Sequence, residues 1–251
     1  MGWTGLNKDQ WIEYADQEWT VQPDPFYLLK QIWTDRTYVY AATTDGLNII
    51  DFESELAYAH ITYADGFTSV WASVSGVYLA TPASGIKYIE KTCISGSTIS
   101  PYELVVCLRD YLNEPDILSD QVRYIHGNNG HMLISTASGV NYRSTAQVAS
   151  TATKLARKVF ITASGTMYYI TWDGSTWKIN KKNATGSNWT DPDKFYETGT
   201  FLINPGTDIL DIFITEGTSD TGVANTIFVA TTSGIFIIDE ELDAGETYYT
   251  A

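Results

Sequence analysis

The sequence predicts an all-β protein, a five-bladed β-propeller built of four-stranded antiparallel blades. Three observations lead there. The 251 residues include 17 Tyr and 19 Gly beside only 7 Pro, a balance that favours strands and tight turns. Five segments repeat one pattern: alternating apolar residues, an Asp-Gly or Ser-Gly pair, then a second alternating run. The apolar positions recur with period 2 and are rich in β-branched and aromatic residues, which excludes a helical reading.

The repeated segments are YVYAATTDGLNIID (38–51), VYLATPASGIKYIE (77–90), HMLISTASGVNYRS (131–144), TMYYITWDGSTWKIN (166–180) and TIFVATTSGIFIID (226–239). Each reads as a β-hairpin. Gly46, Gly85, Gly139, Gly174 and Gly234 hold the same slot in the turn, where the chain needs positive φ and a Cβ would clash. A short apolar strand precedes each hairpin: LLKQIW (28–33), TSVWASV (68–74), QVRYIH (121–126), KVFITA (158–163) and ILDIFIT (209–215). A weaker fourth strand follows: LAYAHIT (56–62), YELVVCL (102–108), TKLA (153–156), KFYETGTF (194–201) and ETYYT (246–250). Four strands taken five times give about 45 residues per unit, the spacing of propeller blades. Residues 28–251 therefore read as one propeller domain, preceded by a separate segment, 1–27.

That leading segment carries Trp3, Trp11, Trp19 and Phe26. Two readings fit it. A strand over 18–22 closes the ring against the last blade, or an arm docks its aromatic anchors on a neighbouring subunit, since Trp and Tyr dominate interface hot spots. Of the connections, 91–101, 144–152, 182–193 and 216–225 are elaborated on one face, and 109–120 on the other; the first face is the better placed to bind a partner.

Charge is uneven. Thirty acids against fifteen bases leave a net −15, which argues against a nucleic-acid partner. Residues 1–65 hold eleven acids and three bases, 66–196 nine and twelve, and 197–251 ten and none. A ring brings the two acidic blocks together. They form either a solvated surface or one side of a head-to-tail contact with the basic 154–182 region of another copy. That basic run is Lys154, Arg157, Lys158, Lys178, Lys181 and Lys182. No stretch is apolar enough to insert in a membrane, and the start lacks the pattern of a secretory signal. On these grounds the expected location is the cytoplasm, unless a resemblance points elsewhere.

Catalytic and cofactor signatures are missing: there is no phosphate loop, zinc helix, nucleophile elbow or Cys-x-x-Cys. The expectation is a protein without enzyme activity, cofactor or metal. His126 and His131 flank Gly127–Gly130 and read as turn-flanking residues, two ligands being too few for a metal site. A glycosidase needs two facing carboxylates, and the first strands offer only Asp35 and Asp211 at or near their ends. Trp177, Trp189 and Tyr196 are candidates for stacking on a sugar ring. Asn183 and Asn188 head glycosylation sequons but read as loop residues. Cys93 and Cys107, the only cysteines, lie on either side of a turn-rich connection. They can face each other across a hairpin, and read foremost as two buried thiols.

ATTDGLNIID (42–51) and VATTSGIFIID (229–239) resemble the Ala-Thr-x-x-Gly-Leu-x-x-x-Asp repeat of the regulator-type β-propellers of sensor ectodomains. The 77–90 and 131–144 units match it in part, and 166–180 departs from it. The Thr-, Gly- and Tyr-rich composition is similar to that of propeller-type structural proteins of tailed-phage virions. That likeness implies a non-catalytic docking protein of a phage tail or head–tail junction, with other virion proteins or copies of itself as partners. The alternative is a lectin-like module that binds surface glycans.

Overall fold

The structure is a computed structural model that describes residues 29–54, 57–94, 107–144, 147–152, 155–172, 177–182, 194–197, 208–219, 222–232 and 234–239. They form five antiparallel sheets, each in chain order. The first holds β1 (Leu29–Thr34), β2 (Tyr38–Thr43), β3 (Gly46–Asp51) and β4 (Ala57–Thr62). The second holds β5 (Ser69–Ala72), β6 (Gly76–Ala80), β7 (Ile86–Glu90) and β8 (Arg109–Leu112), with a single turn of helix, α1 (Lys91–Ile94), after β7. The third holds β9 (Val122–Asn128), β10 (His131–Thr136), β11 (Gly139–Ser144) and β12 (Gln147–Ala152). The fourth holds β13 (Ala156–Ile161), β14 (Met167–Trp172), β15 (Trp177–Lys182) and β16 (Lys194–Glu197). The fifth holds β17 (Ile209–Ser219), β18 (Gly222–Thr231) and β19 (Gly234–Asp239).

One local device recurs in the turn between second and third strands. Gly46, Gly85, Gly139 and Gly234 all have positive φ. Three or four residues upstream, a Thr hydroxyl donates to the glycine carbonyl: Thr43 to Gly46 at 2.9 Å, Thr81 to Gly85 at 2.9 Å, Thr136 to Gly139 at 3.0 Å and Thr231 to Gly234 at 2.9 Å. The Thr of the repeat is thus a clamp on the turn, a hydroxyl replacing a main-chain donor. Between first and second strands the third sheet uses Asn129 (φ 48°) and Gly130 (φ 80°), the two left-handed residues of a type I′ hairpin.

The sheets stack face to face, and a core fills each interval. Tyr40, Leu47 and Ile61 meet Val70, Val77 and Leu79 between the first two sheets. Trp71, Tyr78 and Ile86 meet Val122, Ile125 and Ile134 between the second and third. Leu133 and Tyr142 meet Val159 and Tyr169 in the next interval, and Tyr168, Ile170 and Ile179 meet Ile212, Val229 and Phe236 in the last. The first strands follow one another, β1 beside β5, then β9, β13 and β17, as the inner strands of a propeller do.

Several sequence expectations need correction. In the third sheet the fourth strand is Gln147–Ala152, not 153–156, so 144–152 is no elaborated loop. Val148 and Ala149 pair with Arg143 and Tyr142, and a small, β-competent run pairs as soon as an edge is open to it. Likewise 216–225 is not a loop: β17 and β18 continue their ladder out to Ser219 and Gly222. The polar composition there masked strands whose backbone pairs need no apolar side chain. In the second sheet the fourth strand is Arg109–Leu112, so 109–120 begins as strand. Cys93 and Cys107 form a disulfide, with Cα atoms 6.4 Å apart; they are not free thiols. Antiparallel pairing of β7 with β8 sets the two flanking cysteines within bridging distance. Trp3, Trp11, Trp19, Phe26, Gly174 and Trp189, and the expected strand 246–250, lie outside the described residues.

Candidate functional site

The last sheet is apolar on both faces. On β17 to β19, Ile212, Ile214, Val229, Phe236 and Ile238 pack against the fourth sheet. Alternation sends Phe213, Phe228 and Ile235 to the opposite face. There Phe213 is 58% exposed and Ile235 52%. On the first sheet Ile32 of β1 is 51% exposed, while its neighbours Gln31 and Trp33 turn toward the second and third sheets. Residues of both faces line one cavity of about 690 Å³, together with residues of β9 and β13. Ligand sites typically fall in the range of roughly 300–1,000 Å³ and carry apolar walls with a few polar groups.

The inner wall is a chain of rings. Trp33 meets His126 edge-on at 5.3 Å, and His126 stacks on Phe160 at 4.1 Å. Phe160 meets Phe213 at 5.7 Å, and Phe213 lies 6.4 Å from Phe228. One ring from each of β1, β9, β13 and β17 thus links four sheets, and Phe228 extends the line onto β18.

The polar groups of the wall differ in how far they are used. Gln31 is committed: its amide nitrogen donates to Tyr124 Oη at 2.9 Å and its oxygen accepts from Val70 N at 3.0 Å and from Ser69. Asp211 accepts from Ile212 N at 2.8 Å and pairs with Lys158 at 3.2 Å. The Lys158 ammonium also sits 3.9 Å from the centre of the Tyr124 ring. His126 is 5% exposed. Its Nδ1 accepts from Ile161 N at 3.1 Å, which leaves the proton on Nε2. Burial pushes its pKa down to about 3, so the ring is neutral. Burial raises the Tyr124 hydroxyl, with the Asp211 charge adding to it. Nothing among the described residues accepts from His126 Nε2–H or from the Tyr124 hydroxyl. Both residues line this mostly aromatic space.

The other sequence candidates stand elsewhere. Trp177 is 7% exposed, its Nε1 donates to Asp208 at 2.8 Å, and the Arg157 guanidinium lies 4.2 Å from its ring centre. That ring is packed and offers no platform for a sugar. Tyr196 lies on β16, paired with Ile179. Asp35 caps the β1–β2 turn through Thr37 N and Tyr38 N and pairs with Lys91; it is not in the cavity. His131 bonds and stacks with Tyr142 in its own sheet. Of the basic run, Arg157 and Lys158 already meet Asp208 and Asp211 of the same chain. Part of the basic run therefore meets acidic residues of its own chain. Among the described residues no group of three or more metal-ligating side chains occurs, and no helix is long and apolar enough to cross a membrane.

The sequence reading missed His126 and Tyr124 as site residues. Their i, i+2 spacing on a first strand, shared with Gln31 and Trp33 on another, was the available signal: alternate positions of an inner strand share one face.

The fold is that of propeller-like all-β proteins. An extracellular domain assigned to a one-component system of B. thetaiotaomicron is similar over 89% of this chain and 30% of its own, at 14% identity and a TM-score of 0.58. Kuenenia stuttgartiensis hydrazine synthase is similar over 93% of this chain and 68% of its own, at 10% identity and a TM-score of 0.61. PorZ, a surface component of the type-IX secretion system of Porphyromonas gingivalis, matches over 89% of this chain and 26% of its own, at 14% identity and a TM-score of 0.55. The chain spans less than a third of the Bacteroides and Porphyromonas chains. No protein-family profile matches the sequence, and no curated protein matches it.

Proposed function

We propose that this chain is a five-bladed β-propeller that works as a non-catalytic docking module, and that it binds through the cavity between its first and last blades. The observation that carries the reading is the pair of apolar faces, Ile32 on one side and Phe213 with Ile235 on the other, lining one shared space. Exposed apolar surface of this kind marks an interaction site. Among the described residues the lining holds one carboxylate, Asp211, which is paired with Lys158, whereas acid–base hydrolysis of a glycoside needs two. The setting that goes with this reading is a tailed-phage virion. A lectin role is the weaker alternative, because Trp177 is packed away.

Phe213→Asp tests the docking site in its setting. Phage particles carrying the native gene should contain the chain at a fixed copy number by quantitative mass spectrometry. Particles carrying the variant should contain at least tenfold less, although the free variant keeps its β circular dichroism. Absence of the native chain from particles overturns the virion setting. Undiminished incorporation of the variant overturns the docking site.

A further inference from the structure

We infer that the cavity receives a flat, uncharged aromatic ring that carries an oxygen acceptor beside it, as an indole or phenyl group with an adjacent amide does. The inference deepens the docking reading and rests on it for the purpose of binding, but it fails or stands by a separate measurement.

Three features converge. The first is shape: Trp33, Phe160, Phe213 and Phe228 present ring faces and edges from four strands, β1, β13, β17 and β18. Aromatic groups pack against such walls in offset or edge-on pairs. The second is the pair of donors. His126 is 5% exposed and lines the cavity, its Nδ1 is taken by Ile161 N, and no described residue accepts from Nε2–H. The Tyr124 hydroxyl accepts from Gln31 and donates to none of the described residues. A donor on the lining that no protein group uses is open to an entering oxygen. The third is charge. Asp211 is paired with Lys158 at 3.2 Å and neutral His126 brings no charge, so these three groups carry no net charge. A carbonyl or amide oxygen satisfies the donors without carrying a charge into an apolar space.

The probe is N-acetyltryptophanamide with the full chain, followed by saturation-transfer NMR and calorimetry. Saturable binding is expected, weakened tenfold or more in Phe213→Ala, whose half-exposed site tolerates truncation. 3-Methylindole, which has the ring but no acceptor oxygen, should bind tenfold or more weaker than the amide; this comparison needs no substitution at buried His126. On binding, the imidazole Nε2 resonance should shift as its proton finds an acceptor. The occupant is an aromatic side chain of a partner protein with its backbone amide, so the pentapeptide Gly-Ser-Trp-Ser-Gly should bind tighter than the amide, and equal or weaker binding overturns that assignment. Absence of saturable binding at millimolar amide, equal binding by Phe213→Ala, or equal binding of 3-methylindole overturns the inference. None of these outcomes depends on phage particles, so its failure is distinct from failure of the virion setting.

Discussion

Mild acidification should destabilise this protein through His126. The imidazole is packed between Trp33 and Phe160 and accepts from Ile161 N. Burial holds its pKa at about 3 in the folded chain, against roughly 6.5 when unfolded. Below pH 6.5 the unfolded chain takes up a proton that the folded chain refuses, so stability falls as pH falls. The contribution is fully present above about pH 6.5 and is lost progressively toward pH 3, at about 1.4 kcal/mol per unit. Between pH 7 and pH 5, where most carboxylates remain ionised, the loss should be about 2 kcal/mol from this residue. His60 is also lowered, first by burial with Asp45 opposing, and adds to the loss with the same sign. Urea titrations at pH 7, 6 and 5 measure the total, and His60→Gln removes that second share. The expected result is a loss of at least 2 kcal/mol in the native chain and a drop that persists in the variant. NMR of the His126 ring should show the Nε2–H tautomer down to pH 4. A stability that is flat from pH 7 to 5, or a His126 titration near 6.5, refutes the reasoning.

Two further outcomes follow from the turns and the cross-link. A Cβ on Gly46 would lie 1.9 Å from Ile61 O at a φ of 151°, whereas at Gly234, φ 138°, it meets no atom within 4 Å. Gly46→Ala should therefore cost about 3 kcal/mol or more and Gly234→Ala only the backbone strain of about 1–2 kcal/mol, measured by chemical denaturation; equal costs would show that backbone conformation alone decides. The Cys93–Cys107 bridge spans a separation of 14 residues, so its reduction should lower stability by about 3 kcal/mol. In a chain of this size that is a fall of roughly 6–12 °C in Tm, and an unchanged melt after complete reduction would count against any structural role for the bridge.

How much was legible in the sequence depends on the range of the interaction involved. The hairpins were legible because their determinants are local: alternation sets which face is apolar, and a Thr, a glycine and the residues between them close the turn within five positions, as at Thr43 to Gly46 and Thr81 to Gly85. The strand β12 and the outer half of the β17–β18 ribbon were not, because Gln147–Ala152 and Thr215–Ser219 carry no apolar alternation and are strands only by virtue of the edge they pair with. The disulfide was open for the same reason; two cysteines flanking a connection become partners only when the sheet fixes their separation. The site was the least legible part. Trp33, His126, Phe160 and Phe213 are spread over 181 positions of chain and become one wall only through stacking of the sheets, and whether Lys158 is a surface cation or the partner of Asp211 is decided across the interval between the fourth and fifth sheets. Period, turn and repeat follow from steric preference over a few bonds and so are written in the order of the residues. Tertiary structure alone decided which apolar faces are covered and which polar residues line an open space, because burial and desolvation belong to the packed assembly and to no single segment.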